Sequence, residues 1–108
     1  MSQSLTIQEQ QYREQLRDKR WLIKRKLILD REQNMCKCCG ATNALQVHHR
    51  QYHVNVDTGA WKAPWQYADY LLVTLCQTCH QAGHQQYKVP VFYIEVKAFM
   101  LANRMHAW

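Results

Sequence analysis

The sequence predicts a small single-domain α+β protein organised around a Cys- and His-rich centre, with a helix at each end. Three observations predict it. Two Cys-x2-Cys pairs, Cys36/Cys39 and Cys76/Cys79, bracket His48-His49, and a His80-x3-His84 pair overlaps the second of them. Two short apolar runs, Leu45–His49 and Leu71–Leu75, read as strands. A long stretch without Gly or Pro, Gln8–Gln33, carries apolar residues at helical spacing.

In chain order, residues 1–34 are expected to form the N-terminal helix, 35–88 the metal-bound core and 89–108 a C-terminal helix. The first helix places Tyr12, Leu16, Ile23 and Leu27 on one stripe, while Trp21/Ile28 and Leu22/Leu29 repeat at seven. Arg13, Arg17, Lys19, Arg20, Lys24, Arg25, Lys26 and Arg31 fill the other positions, and Asn34 is the expected stop. Residues 50–70 read as a long connection anchored by Tyr52, Trp61, Trp65, Tyr67 and Tyr70, with turn signals at Asp57-Thr58-Gly59 and Pro64. A short helix carries His80 and His84. Val89-Pro90-Val91 breaks it, and the last helix runs from about Phe92 to His106 with Ile94, Ala98, Leu101 and Met105 on one face.

The chain has 108 residues and a formal charge of +6, of which residues 1–31 (8 basic, 4 acidic) contribute +4. A basic helix suits nucleic acid, an anionic membrane surface or a plain solvated face. No apolar run reaches the ~18 residues of a membrane span. The first ten residues are polar, unlike a secretion signal, so a cytoplasmic setting with reduced thiols is expected.

In that setting, paired cysteines bind metal more often than they form disulfides. Cys36, Cys39, Cys76 and Cys79 supply the four soft ligands that a structural Zn²⁺ takes in a closed tetrahedron. Cys38 is too close to Cys36 for the usual knuckle. His80 and His84, four apart on a helix, can share a second ion. His48 and His49, adjacent on a strand, point to opposite sides, so one can join that ion and the other act as a base. The bland alternative is that these are surface or core histidines, or that His80 substitutes for a zinc cysteine. His53 is read as a non-ligand.

These residues resemble the HNH nuclease family in its four-cysteine zinc form. The resemblance spans Trp21 to about Pro90. It rests on Trp21-x3-Arg25-x2-Ile28-Leu29-x-Arg31-Glu32 leading to Cys36-x2-Cys39-Gly40, on Leu45-x-Val47-His48-His49-Arg50-x-Tyr52, on Pro64-Trp65-x-Tyr67, and on Leu72-Val73-Thr74-Leu75-Cys76-x2-Cys79-His80-x3-His84. It implies a zinc-stabilised ββα-metal (His-Me finger) fold and hydrolysis of DNA phosphodiesters, with RNA the other possible substrate.

By position, the resemblance makes His49 the general base and His48, His80 and His84 the ligands of a working divalent ion (Mg²⁺, Mn²⁺, Ni²⁺ or Zn²⁺). Arg50, with Arg20, Lys24 and Arg25 of the basic helix, would contact phosphates. The setting it suggests is a phage, mobile element or defence system, with a larger protein machine or a homodimer as further partner. One position departs. The family's middle asparagine usually sits nine residues before the first helix histidine, and here that is Leu71, which can donate no hydrogen bond. Asp69, Gln66 or Tyr70 could replace that brace. Leu71 also supports the other reading, a catalytically weak or inactive zinc-stabilised module that binds nucleic acid or protein.

Overall fold

A computed structural model describes residues 6–95. In chain order these hold helix α1 (Ile7–Gln15), helix α2 (Lys19–Arg31), strands β1 (Leu45–His49) and β2 (Tyr52–Asn55), single 3-10 turns at Pro64–Gln66 and Asp69–Leu71, strand β3 (Leu72–Cys76), helix α3 (Gln77–Gln86) and strand β4 (Val91–Ile94). The architecture is α+β.

The expected N-terminal helix is two helices. Thr6 and Glu9 cap α1 reciprocally, each backbone N–H donating to the other's side chain. The helix stops at Leu16. Asp18 is extended (φ −67°, ψ 141°) and its carboxylate accepts from Arg20 N at 2.8 Å, so it restarts the chain as the N-cap of α2. The break resets the helical phase. Trp21 (5% exposed) and Ile28 (1%) face inward, whereas Ile23 (55%) and Leu27 (58%), expected on the stripe with Tyr12 and Leu16, face solvent. At the far end, Gln33 and Asn34 turn through left-handed backbone (φ 58° and 55°), and Asn34 N donates to Leu29 O.

β1 and β3 pair antiparallel, with Leu45 opposite Cys76, His48 opposite Val73 and His49 opposite Leu72. The end of α2 is tied to β3. Glu32 accepts from Thr74 N at 2.7 Å, and the Arg31 guanidinium donates to the carbonyls of Asp69 (2.8 Å) and Leu72 (2.7 Å). Trp21, Ile28, Tyr67, Leu71 and Leu72 form the core between α2 and the β1–β3 pair.

Two further expectations change. The connection 50–70 contains β2 as well as the 3-10 turns. Residues 92–94, expected to open a C-terminal helix, instead belong to strand Val91–Ile94, parallel to β2 with Tyr52 opposite Val91. Its four residues, Val-Phe-Tyr-Ile, are β-branched or aromatic, which favours extended backbone. Ala98, Leu101 and Met105 of the expected helix lie outside the described residues.

Candidate metal centres

The first centre lies where the end of α2, the 36–40 turn and the start of α3 meet. Cys36 O accepts from Gly40 N at 2.9 Å, and Gly40 has φ 79°, a left-handed conformation that a side chain would strain. In each knuckle the first sulfur accepts a backbone N–H from three residues on: Cys39 N to Cys36 Sγ at 3.5 Å, Cys79 N to Cys76 Sγ at 3.4 Å. The Sγ atoms of Cys36, Cys39, Cys76 and Cys79 all lie within 4.8 Å of one another. Cys39 and Cys76 Sγ are 3.6 Å apart. A tetrahedron with ~2.3 Å zinc–sulfur bonds has edges of about 3.8 Å.

Burial pushes the Cys36 thiol up, but backbone N–H donors led by Cys39 outweigh it and bring it down to about 6. The Cys79 thiol is pushed up by its hydrogen bonds with the sulfurs of Cys76 and Cys39. Four thiolates this close repel one another, so a cation among them would favour their ionisation. All five cysteines are free thiols, and Cys38 lies outside the cluster. This donor set can hold a structural metal such as zinc.

The second centre is built from β1 and α3. One ligand nitrogen from each of His48, His80 and His84 falls within a 4.8 Å cluster. His80 Nε2 is 3.1 Å from His48 Nδ1 and 2.9 Å from His84 Nε2. Metal–nitrogen bonds of ~2.0–2.1 Å, opened by 90–109°, separate ligand nitrogens by about 2.9–3.4 Å. His80 Nδ1 is hydrogen-bonded to Gln46 Oε1. An amide oxygen only accepts, so Nδ1 carries the proton and Nε2 is bare. Burial, then the charges of His80 and His84, push His48 down to about 4, and burial lowers His80 as well. Both rings are neutral at pH 7 and can offer lone pairs. His53 stays apart, with Nε2 2.7 Å from Gln51 Oε1.

His49 projects from the other face of β1 and is 3% exposed. It stacks on Trp21 (5.1 Å between centroids) and Tyr52 (5.4 Å), meets Tyr67 edge-on at 5.0 Å, and is covered by Tyr12 of α1 at 6.3 Å. Its Nε2 lies 3.1 Å from Pro64 O. A carbonyl only accepts, so Nδ1 is the bare nitrogen. Burial lowers its pKa, and the Pro64 hydrogen bond opposes that shift.

Two cavities flank the histidines. One, about 270 Å³, is lined by Tyr12, Trp21, Arg25, His48, His49 and His80 among others. The other, about 380 Å³, is lined by His48, His80, His84 and the cations Lys37, Arg50 and Lys88 over an apolar floor. Among the expected phosphate contacts, Arg50 therefore lies beside the histidine cluster. Arg20 pairs with Asp18 and lies over the Trp65 ring at 4.1 Å. Lys24 pairs with Asp69, and Arg25 donates to Leu45 O at 3.2 Å.

Sequence reasoning gave Gln46, Lys37 and Lys88 no role, and read Pro64 as a turn without foreseeing its carbonyl as the partner of His49. Of the first three, only Gln46 left a signal, being two residues from His48 and so on the same strand face. Leu71 is buried in the core. Of its suggested replacements, Gln66 acts in the Pro64 turn, where its Oε1 accepts from Ala63 N at 3.3 Å. Among the described residues no helix is long and apolar enough to cross a membrane. No family model, curated protein or solved structure matches the chain, so the two clusters and their surroundings carry the functional reading.

Proposed function

We propose that the chain is a metal-dependent endonuclease of the ββα-metal, HNH type that hydrolyses DNA phosphodiester bonds. The observation that carries the reading is the pairing of the His48/His80/His84 cluster with His49, whose Nε2–H is committed to Pro64 O and whose Nδ1 is bare. The order β1, β3, α3 agrees with that fold.

In this reading His49 Nδ1 takes a proton from a water in the 270 Å³ cavity. The water oxygen bonds to phosphorus as the bond to the 3′-oxygen breaks, and that oxygen leaves with a proton from solvent. Arg50, Lys37 and Lys88, which line the larger cavity beside the same cluster, contact neighbouring phosphates of the strand and position it. A divalent ion held by His48, His80 and His84 would supply positive charge to the crowded phosphate and the leaving oxygen. The four-cysteine zinc would have no open position and a structural role only.

The competing reading is a zinc-stabilised binding module without catalysis. It draws on the burial of His49 beneath Tyr12 and on Leu71. A plasmid-nicking assay with Mg²⁺, Mn²⁺ or Ni²⁺ separates the two. The nuclease nicks, loses nicking in His49→Ala, and holds one tight zinc plus one exchangeable ion. Nicking that survives His49→Ala rejects the assigned base. Zinc alone, with no nicking by any of the three metals, leaves the binding module.

A further inference from the structure

We infer that Gln46 is the positioning residue that sets the tautomer of His80 and thereby prepares the three-histidine cluster to take a divalent ion. The inference rests on reading that cluster as a metal site, and concerns binding rather than cleavage.

A histidine ligates through a bare ring nitrogen, so the proton must sit on the other one. His80 faces its two partners through Nε2, at 3.1 Å from His48 and 2.9 Å from His84. Only the tautomer protonated at Nδ1 leaves Nε2 bare. An acceptor is needed at Nδ1 to select it, and Gln46 Oε1 is the acceptor there. A donor at the same place would select the opposite tautomer and put a proton where the ion belongs.

The strand explains why position 46 does this work. Gln46 and His48 are two apart on β1 and share a face, the one against which α3 brings His80. Gln46 is otherwise solvent-exposed, so its side chain is not needed for the core. A neutral amide also leaves His80 a weaker ligand than a carboxylate partner would, since a carboxylate raises ligand basicity. Gln46 thus favours an ion that binds and exchanges.

The test uses full-length protein with zinc on its cysteines. Long-range proton–nitrogen NMR of the imidazoles, before any second metal is added, is expected to show His80 protonated at Nδ1. Ni²⁺ titration by calorimetry is expected to give affinity roughly 10- to 100-fold weaker in Gln46→Leu, and equal to or tighter than wild type in Gln46→Glu. Gln46→Leu changes no charge, so it separates the hydrogen bond from general electrostatics. The proposal is overturned if wild-type His80 carries its proton on Nε2, if Gln46→Leu binds Ni²⁺ like wild type, or if wild type binds no Ni²⁺ beyond its zinc. Absence of nicking by wild type with the Ni²⁺ pattern intact would sink the nuclease reading and leave this one standing.

Discussion

His49 Nε2 and Pro64 O, 3.1 Å apart, decide which nitrogen of a buried imidazole keeps its lone pair. The carbonyl is held by its own turn: Gln66 N donates to Ala63 O at 3.0 Å, and Gln66 Oε1 accepts from Ala63 N. Gln66→Ala is expected to loosen that turn and lower kcat by roughly 10- to 100-fold with little change in KM, because a misplaced base slows the reaction without weakening substrate binding. Steady-state nicking kinetics check it. Removal of the base itself, in His49→Ala, should cost about 10²- to 10⁴-fold.

Leu71→Asn is expected to destabilise the protein by about 1–3 kcal/mol and to leave nicking no faster. The side chain sits in the core with Trp21 and Ile28, where an amide would lose its water. The backbone there is already held by Arg31 on the carbonyls of Asp69 and Leu72. Urea unfolding and the nicking rate of the variant would decide; faster cleavage would mean the asparagine was missed.

Ile28→Ala should cost about 2–5 kcal/mol as a cavity in the core, and Leu27→Ala no more than about 0.5 kcal/mol, although the two residues are neighbours. The contrast follows from their exposures of 1% and 58%. Equal losses in denaturant unfolding would show that the phase of α2 is wrong.

Acid should destabilise the fold through its histidines. His48 titrates at about 4 against an ordinary value of 6.5, and His49 and His80 are lowered too. A depressed histidine binds its proton more readily when unfolded. Its stabilising share is therefore complete above pH ~6.5 and falls away as pH drops toward about 4. His48→Asn should lose less stability than wild type between pH 6.5 and 4.5. The cysteine cluster, common to both proteins, cancels in the comparison of urea midpoints.

Stripping metal from the four cysteines with a strong chelator should unfold the domain, since such sites contribute on the order of 10–16 kcal/mol. Circular dichroism would report it. Cys76→Ser should mimic the loss more closely than Cys38→Ser, whose thiol lies outside the cluster.

Much of the site could be read from spacing because its geometry is local. A Cys-x2-Cys turn brings two sulfurs together, and a His-x3-His pair on a helix brings two rings together, whatever else the chain does. Leu45–His49 and the helix after Cys76 were legible for the same reason. The break at Asp18 was not, because a capping aspartate inside a run of helix formers competes with that run only by a hydrogen bond or two. The pairing of β2 with β4 depends on residues about forty apart, and no local pattern encodes it. The partners of His49 and His80, a proline carbonyl and an exposed glutamine, carry no compositional mark.

The ladder between β1 and β3 runs from Leu45 opposite Cys76 to His49 opposite Leu72. Its first rung is therefore one of the four thiols. A slip by a single residue would turn every side chain of β1 over and exchange the places of His48 and His49. By tethering Cys76 to the turn at Cys36, the buried zinc would act as a register pin. The ion that touches no substrate would then decide which imidazole meets the phosphate and which meets the water.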